Sequence, residues 1–206
     1  MVESINNIKL EIISLFRSNY FSQFHIREMA KLIGKSHVSL LPHLKSFEKD
    51  KILLSKNVGK SRVYSLNLEN NQVREFLSFS EKKETLNLLN KEFLIKKLYN
   101  EFFSLNLNGC LILFGSYASL THHKKSDIDI LYVGELKESE KKNIKEFGKI
   151  YNEEIHMTSI ALKQFKEQLS KQGALIKEVL KNHIILYGHD IFINEVWRHC
   201  YERKER

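Results

Sequence analysis

The segment CLILFGSYASLTHHKKSDIDILYV, residues 110–133, constrains the chain more than any other stretch. Cys110 to Phe114 is an unbroken short apolar run, suited to a buried strand. Gly115-Ser116 breaks it, and ten residues separate Ser116 from Asp127-Ile128-Asp129. A second apolar run, Ile130 to Val133, follows. In an extended chain Asp127 and Asp129 share one face, about 6–7 Å apart, while Ile128 and Ile130 point into a core. Two neighbouring carboxylates repel, and an isolated pair raises a pKa or costs stability. A divalent cation removes that repulsion, and hard oxygen donors select Mg²⁺ or Mn²⁺. Glycine permits close backbone approach, the first amides of a following helix can hold phosphate oxygens, and Ser116 adds a hydroxyl. A phosphate cradle beside metal-binding carboxylates is the equipment for attack on a nucleoside triphosphate.

The rest of the composition bounds where such a site can sit. A chain of 206 residues, 42% hydrophobic and 28% charged, holds one large domain or two small ones and can bury a core. No run approaches the length of an apolar membrane span, and MVESINNIKLEIISLF does not read as a secretion signal, so no membrane association is expected. Two cysteines, Cys110 and Cys200, exclude a disulfide framework and a four-thiolate zinc site and suit a cytoplasmic protein. Lys+Arg is 33 against 25 Asp+Glu, a net charge of +8. Residues 1–80 hold 12 basic and 7 acidic residues, with an excess at Lys56, Lys60 and Arg62. Such a surplus fits a polyanionic partner and equally fits a solvated lysine-rich surface.

In the N-terminal part, Ile5, Ile8, Ile12, Ile13 and Phe16 recur at helical spacing. HIREMAKLIG follows, with Ile26, Met29, Ala30 and Ile33 on one face and Gly34 as a C-terminal cap. Ser36 can open a third helix, with Val38, Leu41, Leu44 and Phe47 facing inward. Pro42 disagrees with a regular helix there, so the helix either begins later, with Ser39 as its cap, or is kinked. ILLSKNVGKSRVYSLNL then predicts a β-hairpin about Asn57-Val58-Gly59-Lys60, with Tyr64, Leu66 and Leu68 packing on the helices. Through Ile26, Ala30, Leu32, Gly34-Lys35-Ser36, Leu44 and Gly59 to Tyr64, residues 3–68 resemble the ArsR-like winged helix-turn-helix families. That resemblance implies nucleic-acid contacts from Ser36, His37, Ser39 and His43 on the recognition helix and from Lys56, Lys60 and Arg62 on the wing. It also makes a homodimer an expectation, while domain packing is the competing use of the same fold.

From Asn71 to about Phe103 the chain is polar and helical, with an interrupted stripe of Leu77, Leu86, Leu89, Phe93, Leu94 and Leu98. Beyond the Asp-Ile-Asp segment, residues 152–158 predict a strand with Glu154, His156 and Thr158 on one face and Glu153, Ile155 and Met157 on the other. Leu162 to Leu169 and Leu175 to Leu180 read as helical, and Ile184 to Tyr187 as a last strand. The tail EVWRHCYERKER reads as a surface helix in which Trp197 and Cys200 pack.

Phe114-Gly115-Ser116-Tyr117-Ala118 and Ser126-Asp127-Ile128-Asp129-Ile130-Leu131, with their spacer, resemble the DNA polymerase β-like nucleotidyltransferases, most closely the small minimal members. Ser119-Leu120 stand where such members often carry Arg-Gly. The resemblance implies catalytic metal ligation by Asp127 and Asp129, with Glu154 as third carboxylate, and nucleotide contacts from Gly115, Ser116, Lys125 and Ser126. His122-His123 in the spacer do not read as a metal site. The expected architecture is α+β: a winged helix of three helices and a hairpin over 1–70, a helical connector over 71–104, and a mixed sheet flanked by helices over 105–206. The expected activity is Mg²⁺- or Mn²⁺-dependent transfer of a nucleoside monophosphate from a nucleoside triphosphate to an unidentified acceptor, with DNA or another nucleic acid as partner. Two alternatives stay open. One is a DNA-binding regulator that senses nucleotide, and the other is a toxin–antitoxin-type tRNA or protein nucleotidyltransferase.

Overall fold

The computed structural model describes residues 6–59, 61–105, 107–124 and 126–204. The elements run α1 (Asn7–Ser14), β1 (Phe24–His25), α2 (Ile26–Ile33), α3 (His37–Lys49), β2 (Leu53–Val58), β3 (Ser61–Leu66), α4 (Gln72–Lys91) and α5 (Phe93–Ser104). They continue with β4 (Cys110–Phe114), α6 (Gly115–Ala118), β5 (Ile128–Val133), α7 (Glu138–Tyr151), β6 (Ile155–Ile160), α8 (Leu162–Lys171), α9 (Ala174–Lys181), β7 (His183–Tyr187) and α10 (His189–Lys204). The chain divides into two compact units, with boundaries inside α4 and α10: one holds the described residues through Glu81 and from Cys200 onward, the other runs from Lys82 to His199.

In the first unit α1 to α3 bury Ile12, Ile13, Met29, Leu40, Leu44 and Phe47. The inward face of α3 is therefore Leu40, Leu44 and Phe47, while Val38 and Leu41, expected inside, are exposed. Positions 40, 44 and 47 follow the helical period, and the 38–41 pair lies off that stripe. Asn6 caps α1, Gly34 ends α2 at φ 71° in the left-handed region, and Ser36 caps α3 by accepting from the Ser39 amide. Pro42 sits inside α3, beyond its first turn, where its ring removes a donor to the preceding turn. The hairpin is tighter than expected: Asn57 pairs with Arg62 and Val58 with Ser61, and β1 adds a third strand in the order β1-β3-β2. Arg17 donates to the buried Glu81 carboxylate at 2.6 Å, which pairs that buried negative charge.

The second unit is built on a mixed sheet, order β6-β5-β4-β7. β5 and β6 are parallel, joined over α7, and the other pairs are antiparallel. Alternation sends Leu111 and Leu113 of β4 and Ile128, Ile130 and Tyr132 of β5 to one face, where they pack with Leu98 and Phe102 of α5 and Ile144 and Phe147 of α7. On that stretch Leu86 and Phe93, expected in the stripe, are exposed. The opposite face of β5 carries Asp129 and Leu131. α10 is a surface helix with a packed stripe: Phe192, Ile193, Val196 and Trp197 are buried, Arg198 and Glu202 are exposed, and Phe192 meets Phe165 of α8 at 6.0 Å. Its charged positions alternate with this apolar stripe, and the amphipathic period outweighs the local charge. Among the described residues no helix is long and apolar enough to cross a membrane.

Candidate active site

The site forms where β4 ends and β5 begins. Phe114 pairs with Asp129, so the turn after β4 lies against the first carboxylate of β5. Gly115 opens α6 at φ 68°, and a Cβ there would meet Asp129 Oδ2 at 2.5 Å. Glycine is thus required twice, for its backbone angle and for the approach of the acid. Ser116 and Ser119 continue the turn, with Ser119 Oγ donating to the Gly115 and Ser116 carbonyls.

β6 brings the third carboxylate. α7 runs to Tyr151, and Asn152 ends it in the left-handed region at φ 53°, a conformation asparagine tolerates. The strand therefore begins at Ile155, later than expected, and Glu153 and Glu154 form the approach to it. The Ile128 amide donates to the Glu154 carbonyl at 2.9 Å, and Asp129 pairs with His156. Glu154 is thereby held beside Asp127. One ligand atom from each of Asp127, Glu154 and His156 lies within 4.8 Å of the others.

His156 stands among the acids. Its Nε2 lies 3.0 Å from Glu154 Oε1, and its Nδ1 lies 3.6 Å from Asp127 Oδ2 and 3.8 Å from Asp129 Oδ1. The hydrogen bond to Glu154 holds the imidazole above its ordinary pKa; desolvation opposes, and Asp127 and Asp129 add to the rise. Partial burial raises the Asp129 carboxyl, with Glu178 and Asp127 adding and His156 opposing. A histidine poised to carry positive charge compensates the clustered acids around it. Sequence inspection placed His156 on the Glu154 face without assigning it to the site; the alternation of that strand was the available signal.

The spacer loop has its own anchors. His122 stacks on Tyr117 at 4.0 Å between ring centres and reaches Glu92 at 3.4 Å. Ser126 Oγ accepts from the His123 amide at 2.9 Å, which closes the turn just before Asp127. Lys125 lies outside the described residues.

The sequence-proposed nucleic-acid contacts lie in the other unit. His37 and Arg62 line one cleft of ≈ 450 Å³ together with His25 and Arg27. Ser36 and Lys56 are exposed. Ser39 Oγ donates to the Ser36 carbonyl, and His43 Nδ1 is 3.4 Å from Asn6 Nδ2. Arg62 pairs with Glu48 at 3.2 Å. Lys60 lies outside the described residues.

No curated protein matches the chain. A solved structure titled "Crystal structure of the toxin-antitoxin with AMP-PNP" is similar at 17% identity, over 52% of this chain and 87% of that one, with a TM-score of 0.33. The family model described as Polymerase beta, Nucleotidyltransferase matches residues 96–192, just under half of the chain, and that span contains Gly115, Asp127, Asp129, Glu154 and His156.

Proposed function

We propose that the chain is a metal-dependent nucleotidyltransferase that moves a nucleoside monophosphate from a nucleoside triphosphate to a hydroxyl-bearing acceptor and releases pyrophosphate. One observation carries this reading: Asp127 and Asp129 at the start of β5 and Glu154 at the start of β6 converge on His156 beside the Gly115 turn. The donors suit a divalent cation, since carboxylate oxygens of Asp127 and Glu154 lie within 4.8 Å of each other and such hard oxygen donors suit Mg²⁺ or Mn²⁺. Asp127, Asp129 and Glu154 would hold the cations, which when bound supply charge neutralisation at the α-phosphate and the leaving pyrophosphate. Gly115 leaves room for the Asp129 carboxylate, and with Ser116 it offers the turn against which β- and γ-phosphates rest. Positioning of the nucleotide and acceptor supplies most of the remaining acceleration.

The first unit is read as a winged helix that contacts nucleic acid. Its three helices, three-stranded sheet and the cleft holding His25, Arg27, His37 and Arg62 support that reading. The test is label transfer from an α-labelled nucleoside triphosphate into the macromolecules of a cell lysate. Transfer requiring Mg²⁺ and lost in Asp127→Asn supports the proposal, and undiminished transfer by folded Asp127→Asn removes it.

A further inference from the structure

β6 is an edge strand, paired only with β5 among the described residues. Glu154 and Ile160 turn their carbonyls to β5, accepting from the Ile128 and Gly134 amides. Successive backbone groups of a strand alternate in side, so those of Ile155, Met157 and Ser159 turn away from the sheet. These three residues line a groove of ≈ 690 Å³ between β6 and α7, and Glu154 stands at its end.

The groove has a consistent chemistry. Ile144, Ile155 and Met157 give it an apolar floor, and Lys141, Lys145 and Lys149 recur along α7 at one-turn intervals. Lys141 pairs with Glu138, while Lys145 and Lys149 carry no ion pair among the described residues. Glu153 also lines the groove, and Glu154 turns to His156, so the rim is net basic.

We infer that this groove receives the acceptor, and that the acceptor is an extended polypeptide segment with acidic flanks and a Ser, Thr or Tyr hydroxyl. The inference rests on the transferase reading. A strand laid along β6 would use the outward amides and carbonyls of Ile155, Met157 and Ser159. Its side chains would alternate, one set entering the Ile155–Met157 floor and the other reaching the face of Glu154 and His156. Acidic flanks would meet Lys145 and Lys149. A nucleic-acid strand fits less well, because none of the lining side chains is aromatic and could stack a base. In the transfer, the acceptor hydroxyl oxygen bonds to the α-phosphorus of the nucleoside triphosphate. The bond from that phosphorus to the oxygen bridging to the β-phosphate breaks, pyrophosphate leaves with the electron pair, and the hydroxyl proton passes to water.

The test uses the full chain with Mg²⁺, an α-labelled nucleoside triphosphate and two probes. One is a pool of synthetic peptides of about nine residues, apolar and hydroxyl residues alternating between glutamates. The other is a pool of RNA oligonucleotides with free 3′ ends. Ser159→Pro blocks an outward amide at an exposed edge position, and the double variant Lys145→Glu, Lys149→Glu reverses the rim without touching the strand. Mn²⁺–nucleotide binding is measured on every protein as a check on the acid site. The expected result is peptide labelling that falls at least about 10-fold in both variants with Mn²⁺–nucleotide binding unchanged. Labelling of RNA alone, peptide labelling indifferent to both variants, or nucleotide binding without peptide labelling overturns the inference and leaves the transferase reading standing. Absence of both labelling and Mn²⁺–nucleotide binding overturns the two together.

Discussion

Gly115 and Asp129 set the tolerance of the site. An alanine at 115 needs a left-handed backbone costing about 1–2 kcal/mol and drives a methyl group into Asp129 Oδ2. Gly115→Ala should therefore displace the carboxylate and cut label transfer by at least about 10-fold, with a native-like circular dichroism spectrum. Unchanged transfer would mean that the glycine serves the turn alone. Asp129 and His156 make a second prediction, in the absence of metal. Both pKa values are raised in the folded chain. Each group thus stabilises the fold when protonated, fully below its ordinary pKa, and loses that contribution as pH rises through the raised value. In EDTA at about pH 7, Asp129→Asn should melt above the wild type, and the gap should close towards about pH 4. A wild type that melts higher throughout would contradict the desolvation of Asp129. The Asp-Ile-Asp pair was legible because carboxylates two apart beside apolar runs have few other uses. His156 was not, because a strand histidine carries no chemistry until its neighbours are placed.

At the scale of elements, apolar run length and period account for what was legible. Cys110 to Phe114 is a central strand with every residue buried, and Ile130 to Val133 belongs to its neighbour β5. The phase of α3 was less legible, since Leu40 and Leu41 are both apolar and only packing selects Leu40. α10 was legible as a helix whose charges face out while Trp197 packs inward, because its charged and apolar positions fall on different faces. Pro42 lies at an exposed position inside α3, so its ring costs a hydrogen bond that core packing does not offset. Pro42→Ala should stabilise the chain by about 1–3 kcal/mol, read from denaturant midpoints at constant slope. A loss of stability would show that the proline limits the unfolded chain more than it strains the helix.

For the whole molecule, charge and chemistry sort into different units. The acid cluster and its matched family span belong to the Lys82–His199 unit, and the basic cleft belongs to the other. The two-unit organisation was only partly legible, because α4 carries no Pro/Gly linker and the boundary falls inside a helix. If the first unit contacts nucleic acid through phosphate, Lys56→Ala should weaken duplex binding across all sequences and lower the slope of log affinity against log salt by about 1. A slope identical to wild type would remove Lys56 from the interface.

The convergence of Asp127, Asp129 and Glu154 beside Gly115 is the claim on which the rest depends. Electron paramagnetic resonance of Mn²⁺ with the full chain and a non-hydrolysable nucleoside triphosphate tests it most directly. Mn²⁺ held with the nucleotide's phosphorus coupled to it, and loss of that signal in Asp127→Asn, are the expected results. Mn²⁺ that binds equally well to Asp127→Asn, or that shows no phosphorus coupling at saturating nucleotide, would contradict it.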